Sequence, residues 1–407
     1  MTTFKTALIG AVCIGLAGAP MAATSQPAPL PDDGGVSDFY VWKDAVPKKP
    51  GRLLRTEPLA DKTPLANAAR SERILYTSTD GIDGKSPVTV SGALYLPKGQ
   101  APKGGWPLMA WAHGTVGIAD KCAPSWNGRS QRDVDYLNHW LSQGYAVVAS
   151  DYQGLGVPGR HPYMASRPAA YSVLDSIRAV QKGGFGLSKK VVLVGQSQGG
   201  GAAFATAGYA GKYAPELDIR GTVATGTPYF SPEAQAANLA LKPRDAVDPT
   251  FGYTLLILTL IEMTDPSFKI TDYVTDTAMP TMRLGFSGCL GDISKGVMDN
   301  GLTYNNTFKK DAMAELVKSY GLMGYSTLKP KAPVFMGTGG KDRDVPQGMQ
   351  QSLVKDACRA GARIEWRLYP ELDHSGAVNG SRGDSTPFVK KAFAGERVAG
   401  NCGQSGA

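Results

Sequence analysis

Apolar strand patterns and amphipathic helix patterns alternate along most of this chain. Residues 73–80 (RILYTSTD) and 88–97 (VTVSGALYLP) alternate like a strand pair, with Asp83-Gly84 in the gap as a turn. Pro107–His113 (PLMAWAH) is a short apolar strand that ends in Gly114-Thr115. A helix with apolar Val134, Leu137, Trp140 and Leu141 follows over about 130–143, and Gly144 can stop it. Tyr145–Ser150 (YAVVAS) is the next buried strand, a helix spans about 168–182, and Val191–Val194 is a fully apolar strand leading into the small-residue helix up to Ala207. Gly221–Thr225 is one more strand. Continuous apolar strands separated by helices predict an α/β protein whose mostly parallel sheet is covered by helices on both faces.

After Tyr229 this rhythm breaks. Up to about Tyr325 there is Pro/Asp punctuation and helical pattern without strand alternation, which predicts an inserted, mainly helical cap. Its apolar run Tyr253–Ile261 stops at Thr264-Asp265-Pro266, short of the ~20 residues a membrane span needs, so it reads as a buried cap helix or one lining an apolar pocket. The sheet pattern resumes at Ala332–Thr338, then a helix over about 347–360, the strand Arg363–Tyr369 and a last helix over about 385–394. The predicted layout is a signal peptide at 1–23, an N-terminal arm at 24–72 that is extended over 24–50 and begins ordered structure at Pro50-Gly51-Arg52-Leu53-Leu54-Arg55, core at 73–228, cap at 229–325 and core again at 326–407.

The first residues change the compartment. One lysine, an apolar run over Ala7–Ala17 and small residues up to Ala23 make a secretory signal, cleaved near Ala22–Ala23, which predicts an extracellular or periplasmic protein. Cys13 falls inside it. Cys122, Cys289, Cys358 and Cys402 remain, an even count whose default in an oxidising compartment is two disulfides, with the pairing open. No C-x-x-C pair or Cys/His cluster offers a zinc site, and no metal or cofactor is expected. The formal charge of +8 falls to +7 without Lys5, but the lysine pairs are short and interleaved with acids. That argues against nucleic acid as a partner and for a basic surface with at most peripheral envelope or lipid contact; no obligate protein partner is implied.

The strand Val191–Val194 runs into Gly195-Gln196-Ser197-Gln198-Gly199, a G-x-S-x-G elbow in the strand–turn–helix context a nucleophilic serine needs. Such an elbow strains the serine backbone, and a side chain at Gly195 or Gly199 would crowd it. A serine hydroxyl needs a base, usually histidine. On such elbows the chain order is Ser, acid, His, and of His113, His139, His161 and His374 only His374 follows Ser197. The other three read as structural or solvated, with His161 the one that could lie near the site. The acid belongs after the penultimate strand, in GGKDRDVP, where Asp342 is favoured over Asp344, and over Asp373 beside the histidine. Oxyanion donors are expected from the N–H of Gln198 and from His113-Gly114-Thr115, with Gly114 preferred and Thr115 next.

With these residues in hand, the chain resembles the secretory lipase family, the fungal lipase A-like branch of α/β-hydrolases and its bacterial relatives. The resemblance is carried by Asp38-Phe39-Tyr40, Pro50-Gly51, AHGT (112–115), CAPS (122–125), DYQGLG (151–156), GQSQGG (195–200), KDRDVP and ELDH. It implies the α/β-hydrolase fold with a cap after the strand at 221–225, Ser197, Asp342 and His374 as triad, and the pairings Cys122 with Cys289 and Cys358 with Cys402. The fungal members have an acidic residue where this chain has His113-Gly114-Thr115, so the oxyanion loop departs from the pattern. The expected activity is carboxylic-ester hydrolysis of an ester or lipid substrate through an acyl-enzyme. A serine peptidase or acyltransferase on the same fold, or a non-catalytic envelope-binding protein suggested by Arg382-Gly383-Asp384 and the basic charge, are the competing readings.

Overall fold

The apolar run Val191–Val194 forms the middle of β6 (Leu187–Gln196), inside a sheet that the computed structural model builds from nine strands among the described residues. Those residues are 1–2, 35–60, 62–234, 244–310 and 312–403, so the signal peptide reading and Cys13 lie outside them. The other strands are β1 (Leu53–Pro58), β2 (Ala68–Thr79), β3 (Pro87–Pro97), β4 (Trp106–Ala112), β5 (Ala146–Ser150), β7 (Asp218–Thr225), β8 (Val334–Gly339) and β9 (Ile364–Tyr369). Their order is β1-β2-β3-β5-β4-β6-β7-β8-β9. β1 to β3 join antiparallel and β3 pairs antiparallel with β5, while every pairing from β5 to β9 is parallel.

Both faces of the parallel part are covered, which is why its strands are apolar throughout. Val191 and Leu193 share one core cluster with Leu108, Ala110, Val173 and Ile177, on the side of the helix Ser166–Lys182. Val192 and Val194 point the other way, into a cluster with Trp111, Trp140 of the helix Gln131–Ser142, and Phe388 of the helix Arg382–Ala394. Each such fully buried side chain contributes roughly 1.5–3 kcal/mol. The helix Gln131–Ser142 begins where expected because the Ser130 side chain accepts the Asp133 N–H.

The sheet starts earlier than the boundary at residue 72 in the sequence reading. β1 lies within the stretch assigned to the arm, and β2 begins at Ala68. β1 is an edge strand whose alternate positions carry Arg55 and Glu57, so burial leaves only a weak apolar signature there. Arg382-Gly383-Asp384 forms the first turn of a helix, with Asp384 accepting the Tyr369 hydroxyl at 2.7 Å, so it is no free adhesion loop.

Between β7 and β8 the described residues include the helices Phe251–Thr264, Met279–Ser287, Leu290–Asp299 and Ala312–Met323. These elements bury their own cluster, with Leu255, Leu258, Ile261, Met282, Val297 and Met323 in it. The run Tyr253–Ile261 is therefore apolar because it is the centre of this cluster. Among the described residues no helix is long and apolar enough to cross a membrane. A disulfide joins Cys122, in the loop after β4, to Cys289 at the start of Leu290–Asp299. A second joins Cys358 of the helix Gln347–Arg359 to Cys402 near the C-terminus.

Candidate active site

Ser197 sits between β6 and the helix Gln198–Tyr213 with φ 58° and ψ −124°, a conformation that costs a non-glycine residue on the order of 1–3 kcal/mol. The neighbours hold it there. The Ser197 N–H donates to the Thr225 carbonyl at 2.9 Å, and the helix behind is pressed onto β4 so closely that a Cβ at Gly199 would lie 1.9 Å from the Ala112 oxygen. At Gly195 the added atom would meet the Gly199 oxygen at 2.0 Å. Gly199→Ala is therefore expected to cost roughly 3 kcal/mol or more through forced backbone movement. Gly291→Ala, on an inserted helix with nothing within 4 Å, serves as control and is expected to be neutral or slightly stabilising. Denaturant midpoints of the two variants check this; equal midpoints would remove the close-packed elbow from the account.

The loops after β8 and β9 bring Asp342 and His374 together. His374 Nδ1 lies 2.7 Å from Asp342 Oδ2, and both side chains are at least nine-tenths buried. Asp342 is itself fixed on all sides. Its Oδ1 accepts the N–H groups of Asp344 at 3.0 Å and Val345 at 2.8 Å, and its Oδ2 accepts Gln350 Nε2 at 2.9 Å. An ionised carboxylate only accepts, so Nδ1 of the neutral ring carries the hydrogen and Nε2 is left as the acceptor. Gly226 follows Thr225, the residue that holds the Ser197 N–H, and a Cβ there would lie 2.8 Å from His374 Cε1. Ser197 and the imidazole thus flank the same short turn after β7. Asp373 is elsewhere engaged, accepting the Gly376 N–H at 2.7 Å.

Gln198 and Thr115 are both contacted from the loop after β5, through His161 and Tyr163, while Gly114 lies against the elbow. Gln198 opens its helix, where first-turn N–H groups have no helical acceptor. Its side-chain Nε2 lies 3.1 Å from His161 Nε2. His161 Nδ1 donates to the Gln153 carbonyl at 2.7 Å, so Nε2 accepts from Gln198, and burial lowers the ring's titration to about 4, which keeps it neutral. Gly114 lies against the elbow, 3.5 Å from Ser197 Cβ when given a Cβ, and packs on the Gln196 side chain. Thr115 faces the cavity, its hydroxyl 2.7 Å from the Tyr163 hydroxyl. His113 is buried on the Tyr152 ring with its nitrogens on the carbonyls of Gly114 and Asp151, and His139 contacts Thr386 Oγ1 at 2.8 Å.

Ser197 and Gln198 open into a cavity of about 220 Å³ walled largely by the inserted helices, with Phe251, Ile257, Leu316 and Met323 on its apolar side. Tyr253 and Asp344 add a polar patch, the hydroxyl donating to the carboxylate at 2.7 Å. Neither Gln350 nor Tyr163 was legible in the sequence as part of a site, and Tyr253 was legible only as the start of a helix, buried or lining an apolar pocket, not as a hydrogen-bond donor to Asp344. Each reaches it from a separate element, and no local motif marks such an approach.

A family model described as secretory lipase matches residues 127–401. A secreted triacylglycerol lipase of Malassezia globosa is 25% identical, over 94% of this chain and 82% of that one. A trichothecene C-3 esterase of Fusarium sporotrichioides is 27% identical, over 93% of this chain and 87% of that one. The X-ray structure of Candida antarctica lipase A superposes with a TM-score of 0.73 at 23% identity, covering 93% of this chain and 90% of that one, which gives the fold as that of the α/β-hydrolases. With a family match over two thirds of its length, the chain belongs to the secretory lipase family.

Proposed function

We propose that this protein is a secreted serine carboxylic-ester hydrolase with Ser197, His374 and Asp342 as its triad. The observation that carries the reading is the buried Asp342–His374 pair beside a strained serine at the mouth of an apolar cavity. His374 Nε2 takes the Ser197 proton as Oγ attacks the ester carbonyl, and Asp342 stabilises the imidazolium. The N–H groups of Gln198 and of Gly114 or Thr115 receive the developing oxyanion. The same proton then goes to the leaving alkoxide, which departs as an alcohol and leaves the acyl group on Ser197. Water, deprotonated by His374, releases the acid and restores the serine.

Segment 229–325 acts as the cap over this site, and its apolar wall suits an acyl chain. Two disulfides fit an oxidising compartment after removal of 1–23. The test is a series of p-nitrophenyl esters of increasing acyl length. Turnover is expected to persist into long chains; loss beyond short chains would leave an esterase and remove the lipase reading, and no turnover on any ester would remove both.

A further inference from the structure

A second carboxylate stands beside the base. Asp342, Asp344 and His374 present two oxygens and a ring nitrogen that all lie within 4.8 Å of one another. Asp342 is saturated by its four partners. Asp344 instead lines the cavity with Ser197, and the hydroxyl it accepts belongs to Tyr253, on the inserted helix Phe251–Thr264.

We propose that Asp344 is a positioning residue for the His374 base, and that the Tyr253 hydroxyl, reaching in from the insertion, sets how much of its negative charge the base feels. This rests on the Ser197/His374 reading above. A carboxylate at this range favours the imidazolium that forms when the serine proton is taken, and a phenol O–H bonded to it disperses part of that charge. Burial and the neighbouring Asp344 both push the Tyr253 phenol well above its ordinary value, so it remains the donor across the working pH range. Because Tyr253 is contributed by the insertion, the strength of the base depends on how that helix sits against the loop after β8.

Of the other charged groups around the pair, Arg343 sits between the two carboxylates in sequence and is exposed. Asp342 faces Nδ1, and Tyr163, raised by burial and by Asp344, keeps its proton across the cavity. Arg244 stacks on Tyr304 at 4.0 Å, on the wall of the same cavity. Arg132 reaches Ser375 at 3.4 Å, Asp373 caps Gly376, and Lys341 pairs with Glu371 on the exposed side of the loop.

The experiment is the pH dependence of kcat/KM on a soluble p-nitrophenyl ester for wild type, Asp344→Asn, Tyr253→Phe and the double variant. Deleting the charge is expected to move the acid limb to lower pH by on the order of one unit, with KM changed little. Deleting the donor leaves the charge undispersed and is expected to move the limb to higher pH by a few tenths of a unit. The double variant is expected to behave as Asp344→Asn, since without the carboxylate the hydroxyl has nothing to tune. Shifts of the two single variants in the same direction, or no shift in either, overturn the proposal, because a merely structural contact has no reason to separate them by sign. If Asp344→Asn does not fold, Asp344→Ser deletes the same charge. Wild-type ester turnover that survives both Ser197→Ala and His374→Ala would instead overturn the underlying reading, which separates the two failures.

Discussion

Ser197→Ala is expected to lower kcat on a p-nitrophenyl ester by on the order of 10⁶-fold while the protein stays folded. The substitution removes only Oγ. The backbone that strains the elbow is held by the Thr225 carbonyl and by the close approach of Gly199 to Ala112, none of which involves the hydroxyl. A residual rate over water is expected, because in the proposed mechanism the amides of Gln198 and of Gly114 or Thr115 and the cavity remain to bind the oxyanion and the acyl group. An organophosphonate that forms a covalent bond with the wild type, mapped by mass spectrometry, is expected on Ser197 and nowhere in the variant. Label on another residue, or a variant within a hundredfold of wild type, would mean that a different group attacks the ester.

The second large effect is expected from Asp342→Asn, a loss of about 10³–10⁴-fold in kcat. The carboxylate fixes His374 as the Nδ1–H tautomer, whereas an amide can present N–H to Nδ1 and leave the hydrogen on Nε2, where the serine proton should go. The same change places an N–H against Gln350 Nε2 or the amides of Asp344 and Val345, so the side chain is also less well held. Asp373→Asn is the comparison. It touches only the Gly376 cap and is expected to stay within a few-fold of wild type. A larger loss at Asp373 than at Asp342 would reassign the acid.

The regular part of the fold was legible because burial on both faces leaves a sequence trace that needs no partner to be read. Val191–Val194, Tyr145–Ser150 and Pro107–His113 are apolar without alternation, and each became a strand of the parallel region. Ordered structure was legible from Pro50–Arg55, but not as a strand of the sheet, because β1 half-buries the charged Arg55 and Glu57 and exposes Thr56 and Pro58, which leaves no apolar alternation. The last helix begins at Arg382 rather than near 385 because Tyr369 and Arg367 hold Asp384 in its first turn, a contact from a distant strand.

Within the candidate site the division is similar. The elbow around Ser197 is local, since its glycines and its strand and helix are contiguous, and chain order pointed to His374. The sequence favoured Asp342 over Asp344 and Asp373 from its place after the penultimate strand, but which carboxylate meets the imidazole is a matter of where two loops, at the ends of β8 and β9, come to lie. The cavity depends on the inserted helices being packed over the sheet, and the approach of Tyr253 to Asp344 joins residues 91 positions apart. Backbone strain and buried strands are properties of short contiguous segments, so the sequence alone determined the sheet and the glycine elbow around Ser197. Hydrogen bonds across the site depend on the relative placement of elements far apart in the chain, so only the tertiary structure decided which carboxylate holds the imidazole and what lines the cavity beside it.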